Sequence, residues 1–239
     1  MKALVFDVRI NSLYSIRMPF TWQSALTYPV LPPSAVIGML ANALQRYKNN
    51  KPPLKYLDLI EDGVLWAGSR LLAPCVIKSY VTSAIVKWED KLGGKFTNAL
   101  GRQYAYSRKL QVSAIFNEST LINDLKDALK ISPLTCGDSE SPVSLEGDIN
   151  PKDVTEVNSK TIRTEYPVPF TKNTKVVEGN GQVYLMHERC KKRGGDFPLI
   201  SFMVPIREEQ KILRPSSLTI EVTEEKIFEI EGIGYVIRK

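Results

Sequence analysis

The sequence is poor in the residues that carry most enzyme chemistry. It has one histidine, His187, and three widely separated cysteines, Cys75, Cys136 and Cys190. Their odd number and the lack of CxxC spacing argue against a disulfide framework, a redox couple or a zinc site. The H-x-x-C pair formed by His187 and Cys190 has no second pair of ligands. We therefore expect no metal and no cofactor.

Catalysis by a nucleophile with a histidine base would depend on His187 alone. This residue lies between Met186 and Glu188, in a run that has the character of a strand end. A structural or solvated role is the favoured interpretation, and a catalytic role stays open.

Long apolar runs and phosphate-binding motifs are also missing. No stretch approaches the roughly 20 apolar residues needed to span a bilayer, and residues 1–10 do not resemble a secretory signal. Neither GxxxxGK[ST] nor GxGxxG occurs. With 43% apolar residues, the composition is that of an ordinary globular protein. These features predict a cytoplasmic protein that does not contact a membrane.

Charge is the first positive signal. The net charge is +6, with a pI of about 9.1, which suits a polyanionic partner. Residues 86–110 carry a net charge of +4, and a second basic cluster comprises Arg189, Lys191, Lys192 and Arg193. Residues 137–156 carry −5, which argues against RNA contact there.

The apolar spacing predicts mixed α and β structure. Residues 2–10 alternate as in a half-buried strand. A helix is predicted from Pro33 or an N-cap at Ser34 to about Asn49, and another over 118–130 with Ser119 as a possible cap. Strands are predicted over 64–88 and 104–116, and short strand-like runs follow from Thr155 onward. The order is that of a ferredoxin-like unit followed by a β-rich region.

Residues 89–103 contain three glycines and several cations. We interpret them as a mobile loop at the tip of a long hairpin. A solvated surface turn without function is the alternative.

A stretch of aromatic and basic residues adjoins this loop and ends at Lys109. On a strand, its even-numbered residues would share one face, namely Arg102, Tyr104, Tyr106 and Arg108. Such a stripe can bind phosphates through arginine and stack bases on tyrosine, as in single-stranded RNA recognition. Tyrosines packed on a core, with arginines extending outward, remain an equal alternative.

Three segments carry recognisable motifs. Residues 12–44 contain L-P-P-S at a predicted helix start, residues 101–116 begin G-R-Q-Y-A-Y-S-R-K, and residues 134–145 contain G-D-S-E-S. These segments resemble, in this order, the opening strand, loop and proline-serine helix start, the strand that leaves the thumb, and the G-D-S-E-S segment of the Cas five family of CRISPR-associated RAMP proteins. The likeness is closest to the archaeal, apern-type branch of type I-A systems. The likeness covers the first 145 residues in the expected order.

The resemblance implies an α+β protein without enzymatic activity. Residues 1–145 would form a ferredoxin-like (RRM-like) RAMP domain with a thumb β-hairpin around 87–103, and residues 146–239 a β-rich region packed on it. The protein would hold the five-prime handle of CRISPR RNA in a type I Cascade complex and cap its backbone filament. Expected partners are the Cas seven family backbone subunit and the Cas eight family large subunit. The implied RNA-binding residues are Ser34, Gly38, Lys87, Lys95, Arg102, Tyr104, Tyr106, Arg108 and Lys109.

Two other functions are kept open. A metal-independent endoribonuclease would process repeat RNA with His187, Tyr104 or Tyr106, and a lysine. A protein-interaction scaffold would use the basic face to meet an acidic partner.

Overall fold

A computed structural model describes residues 1–21, 24–89, 94–137, 141–191 and 197–238, with the backbone alone described for residues 82–89, 94–100 and 150. Its helices are α1 (Pro33–Lys48), α2 (Pro53–Gly63) and α3 (Thr120–Ile131). The strands of the first half are β1 (Lys2–Ile10), β2 (Ser24–Ala25), β3 (Val64–Leu71), β4 (Cys75–Glu89), β5 (Gly94–Ser107), β6 (Lys109–Phe116), β7 (Leu134–Thr135) and β8 (Pro142–Val157). Those that follow are β9 (Thr161–Thr164), β10 (Val168–Pro169), β11 (Thr174–Gly179), β12 (Gln182–His187), β13 (Leu199–Val204), β14 (Ile206–Glu209), β15 (Ile212–Pro215), β16 (Leu218–Val222), β17 (Lys226–Ile230) and β18 (Gly234–Arg238). The prediction of a mixed, β-rich fold is confirmed.

The largest sheet has the order β18-β17-β8-β1-β6-β3, with β7 beside β8, and its neighbouring strands are antiparallel. The central strand β1 matches the alternation seen in the sequence. Its residues Leu4, Phe6 and Val8 are buried in the main core, because they face the helices. The helices therefore cover one face of this sheet.

Helix α1 packs against α2, α3 and β3. Pro33 is its first residue and Pro32 its N-cap, so the alternative that made Ser34 the cap is wrong. The helix ends at Lys48, and Asn49 follows in a left-handed conformation, which confirms the predicted end. Helix α3 is also confirmed, although Ser119 makes no capping hydrogen bond through its side chain.

The opposite face of the sheet carries a second cluster of buried residues. Ala3, Val5 and Ile115 pack there with Tyr166 and with residues of β17 and β18, which are strands of the same sheet. The expected division after residue 145 lies within β8, whose residues 143–153 pair with β1 and 154–157 with β17. The chain thus passes from the first region to the second along one strand, and the division into two domains stays a prediction.

A long hairpin leaves the sheet between β3 and β6. Strands β4 and β5 pair from Cys75 opposite Ser107 to Glu89 opposite Gly94. The interpretation of residues 89–103 as a loop is therefore wrong for 94–103, which belong to β5. Cross-strand pairing organises this segment in spite of its glycines. Residues 90–93 and the side chains of Lys87 and Lys95 lie outside the described part.

The hairpin belongs to a five-stranded sheet with the order β14-β15-β4-β5-β2. Two small sheets, β10-β13-β12 and β11-β16-β9, complete the described part of the C-terminal region. Among the helices of the described ranges, none has both the length and the apolar content needed to cross a bilayer.

Helix α2 was not predicted, and a buried arginine stabilises its end. The Arg189 side chain is 5% exposed and donates hydrogen bonds to the carbonyl oxygens of Glu61, Val64 and Leu65 at 3.3, 2.9 and 3.2 Å. These include carbonyl groups that a helix end leaves without intrahelical partners. Its guanidinium also lies 3.7 Å from the buried Glu61 carboxylate. That carboxylate accepts the backbone N–H groups of Cys190 and Lys191.

Arg189 and Lys191, the described residues of the second basic cluster, therefore both bind groups of the protein itself. Lys191 lies 2.7 Å from Asp58 and 3.5 Å from Asp62, and its hydrogen bond to Asp58 is the main cause of its raised pKa. Lys192 and Arg193 lie outside the described residues.

The substitution Arg189→Ala should destabilise the fold by about 3–5 kcal/mol, because it leaves the Glu61 carboxylate buried without its cation. Urea unfolding followed by far-UV circular dichroism measures this change. Lys191→Ala is the matched control, since it breaks only ion pairs near the surface and should shift the midpoint little. Equal shifts for the two variants would contradict the assignment.

Candidate nucleic-acid interface

Side chains at the base of the hairpin alternate between the core and the outer surface. Cys75, Ala105 and Ser107 are fully buried. Because directly paired residues of antiparallel strands share a face, their neighbours point outward together. We call this outward set the hairpin face, comprising Val76, Lys78 and Tyr80 on β4, and Arg102, Tyr104 and Tyr106 on β5.

Three of these side chains form one contiguous group. The Arg102 guanidinium carbon lies 4.9 Å from the centroid of the Tyr104 ring, and this ring meets the Tyr80 ring edge-on at 5.8 Å. Arg102 Nε also donates a hydrogen bond to Ser15 Oγ at 3.2 Å. A cation over an exposed aromatic ring contributes about 0.5–1 kcal/mol. The arrangement therefore holds a positive charge beside two aromatic rings.

The layer beneath the hairpin face is neutral and tightly bonded. Tyr14 exchanges both backbone hydrogen bonds with Ala105, at 2.9 and 2.8 Å. Its buried hydroxyl donates to the carbonyl oxygen of Pro29 at 2.5 Å and lies 3.7 Å from Cys75 Sγ. Burial raises the pKa of Tyr14 well above its usual value and that of the Cys75 thiol to about 11. Cys75 is thus a structural residue and not an activated nucleophile.

The stripe expected from the sequence breaks after Tyr106. Arg102, Tyr104 and Tyr106 share a face, but Arg108 is at the bend between β5 and β6, which belong to different sheets. The expectation of one strand over 104–116 is wrong here, because the chain leaves the five-stranded sheet at this point. Arg108 is exposed at the bend.

Lys109 begins the strand of the other sheet. Its ammonium lies 2.8 Å from the Asp7 carboxylate and 3.1 Å from that of Glu146. Hydrogen bonds to these two carboxylates, Asp7 first, raise its pKa. Two carboxylates already surround this charge, so Lys109 is a weak candidate for a phosphate contact.

Ser34 and Gly38 lie in the first turns of α1, on the helical layer and not on the hairpin. Both are half-buried, and the Cys190 thiol donates to the carbonyl oxygen of Ser34 at 3.1 Å. The structure thus places the predicted residues on separate elements. Lys78 and Tyr80 were missed, although alternation in the segment V-I-K-S-Y-V marks them as partners on one face.

His187 closes β12 in a different sheet from Tyr104 and Tyr106. Its ring meets that of Phe197 edge-on at 6.0 Å, and within the described ranges its buried Nδ1 has no hydrogen-bond partner. Those ranges also contain no group of three or more His, Cys, Asp or Glu residues arranged to hold a metal ion. No catalytic arrangement around His187 is evident among the described residues.

Comparison with solved structures shows a shared fold. A crystal structure of a CRISPR protein from Archaeoglobus fulgidus is similar with a TM-score of 0.66 and 17% identity, over 100% of both chains. A chain in the cryo-EM structure of the type III-B Cmr-beta bound to cognate target RNA and AMPPnP gives 0.52 and 10% identity, over 89% of this chain and 86% of that one. No curated protein matches.

The family comparison covers more than half of the chain. Residues 4–167 match the family described as CRISPR-associated protein (Cas_Cas5). The resemblance found in residues 12–44, 101–116 and 134–145 is thereby confirmed, and the protein belongs to the Cas5 family of CRISPR-associated proteins.

Proposed function

We propose that the protein is a non-catalytic, CRISPR RNA-binding subunit of a type I Cascade surveillance complex, and that the hairpin face contacts the RNA. The observation that carries this proposal is the group formed by Arg102, Tyr104 and Tyr80, with Lys78 on the same face. Family membership supplies the CRISPR context.

The chemistry of this face suits a single strand of RNA. Arginine and lysine neutralise phosphates, while exposed aromatic rings accept unstacked bases. Tyr80 and Tyr106 are 49% and 46% exposed, so about half of each residue remains available for stacking. The buried neighbours Ala105 and Ser107 fix the outward direction of Tyr106, while Tyr80 contacts the Tyr104 ring. Because these tyrosines point outward, their direction supports RNA contact and disfavours the alternative in which they pack on a core.

The fold supports the same function. We interpret β1, α1, β3, β6, α3 and β8 as a ferredoxin-like RAMP unit, because β8-β1-β6-β3 are adjacent and the helices cover one face. The β4–β5 hairpin is then a thumb inserted between the second and third strands of that unit. A chain of similar fold occurs in the Cmr-beta structure, which is bound to cognate target RNA.

The finer role is proposed from the family. The subunit would hold the five-prime handle and cap the backbone filament, with the thumb directed toward a Cas seven family subunit and another surface toward a Cas eight family subunit. Type I-A and a cytoplasmic location are part of this proposal.

Substituting Arg102 or Tyr104 by alanine should weaken binding of repeat RNA. Loss of an aromatic stacking platform costs about 1–3 kcal/mol per base. Loss of one phosphate contact should flatten the dependence of log K on log salt by about 0.7 for a single strand. Titration of labelled RNA at several salt concentrations, followed by fluorescence anisotropy, measures both effects.

Lys109→Ala is the control for this experiment, because Asp7 and Glu146 already accompany its charge. It should change RNA affinity much less than Arg102→Ala. Wild-type binding that does not weaken with salt would exclude phosphate contacts and favour the scaffold function.

Purified protein should shift repeat RNA on a gel and leave it intact in the presence of EDTA. Because no catalytic arrangement around His187 is found among the described residues, we expect His187→Ala to behave like the wild type. Cleavage at one repeat position that disappears in His187→Ala would establish the endoribonuclease instead.

A further inference from the structure

The hairpin face continues onto two strands from the C-terminal region. Strand β15 pairs with β4, placing Ile212 opposite Val76 and Leu213 opposite Cys75. Strand β14 pairs with β15, placing Arg207 opposite Arg214 and Glu209 opposite Ile212. Leu213 and Ile206 are buried beside Cys75, so the alternate residues face outward. The outward residues of these two strands are Arg207, Glu209, Ile212 and Arg214.

Two arginines stand directly opposite each other in this extension. Like charges in such cross-strand positions repel, and here the Glu209 carboxylate bridges the two guanidiniums. Arg207 Nη2 lies 2.7 Å from one oxygen of Glu209, and Arg214 Nε lies 2.7 Å from the other. One carboxylate is shared between two guanidiniums, each with five N–H donors. The cluster therefore keeps a net positive charge and a surplus of donors, with the arginine side chains 54% and 44% exposed.

The strand register gives the distance between this cluster and the group at Arg102. Arg102 is level with Tyr80 on β4, and Arg214, one residue beyond Leu213, is level with Pro74. Six residues along β4 at about 3.3 Å each span roughly 20 Å, and two strand spacings add about 10 Å sideways. The two cationic groups thus lie at opposite corners of one surface.

Between these corners the surface carries Lys78 and Tyr104, followed by a row of aromatic and apolar residues. Tyr106, Val76 and Ile212 stand in one row across β5, β4 and β15. Exposed tyrosines among cationic side chains match a strand of nucleic acid, in which phosphates alternate with planar bases. An acidic protein would use the charges but not the tyrosine rings.

We propose that Arg207 and Arg214 form a second phosphate-binding point, so that single-stranded RNA crosses the sheet obliquely from Arg102 to the arginine pair, with bases over Tyr104 and Tyr106. This inference rests on the proposed function and adds C-terminal residues to its site. The ligand class is a single-stranded RNA long enough to reach both points, and Glu209 holds the two guanidiniums ready for a phosphate.

The test compares two variants that each remove one unit of net positive charge. The triple variant Arg207→Ala, Glu209→Gln, Arg214→Ala removes the cluster. The control Arg163→Ala removes an exposed arginine on β9, whose described partner is the Ser217 hydroxyl. Far-UV circular dichroism and thermal midpoints verify that both fold as the wild type does.

Binding of labelled repeat RNA should fall roughly tenfold or more in the triple variant, as expected when charge-assisted hydrogen bonds are lost. Its salt slope should decrease by about 0.7, the value for one phosphate contact on a single strand. Arg163→Ala should match the wild type. Equal losses of RNA affinity in the two variants would mean that the cluster acts only through its net charge, and would overturn the inference.

Two further outcomes separate this inference from the proposed function. If Arg102→Ala weakens binding and the triple variant does not, the function stands and the second binding point is wrong. If the wild type fails to bind RNA, both are wrong. Direct binding of labelled polyglutamate to the wild type but not to the triple variant, with an RNA affinity that the triple variant leaves unchanged, would assign the cluster to an acidic protein instead and overturn its role in RNA binding.

Discussion

The alternation of side chains along β5 is the constraint on which the candidate interface depends. Ala105 and Ser107 must point inward, because Tyr14 bonds to the Ala105 backbone and Cys75 fills the adjoining core. Once these positions are fixed, the alternation of the strand places Arg102, Tyr104 and Tyr106 on the outer face. Shifting the strand by one residue would turn Tyr106 into the core and expose Ala105. Core packing therefore sets the direction of the surface chemistry.

The same constraint connects regions that are distant in sequence. Strand β15 comes from the C-terminal region, yet its register against β4 is set by burial of Leu213 beside Cys75. Arg189 makes a second connection, because its guanidinium binds the carbonyl groups at the end of α2. Each link satisfies groups that would be costly to bury alone. The C-terminal region is thus an integral part of the packed structure around both the helical layer and the hairpin.

Local periodicity predicted β1, α1, α3 and several of the short C-terminal strands, because each carries its own apolar pattern. Helix α2 was missed since it is short and depends on Arg189, a residue more than 120 positions away. Residues 94–103 were taken for a loop because their glycines outweighed a pairing visible only once β4 and β5 are aligned. Arg102, Tyr104 and Tyr106 could be found from alternation. Arg207 and Arg214 could not, because only the sheet order brings them to the same surface.

The point at which the hairpin leaves the large sheet has an evolutionary consequence. β3 and β6 are hydrogen-bonded neighbours, with Leu71 opposite Leu110, so the chain returns close to where it departed. An insertion whose two ends meet at adjacent strands can lengthen or shorten with little change in closure entropy, and the register of the sheet is unaffected. Relatives can therefore vary the reach of this projection independently of the scaffold. At this position the length of the hairpin can change while the packed core of the large sheet stays the same.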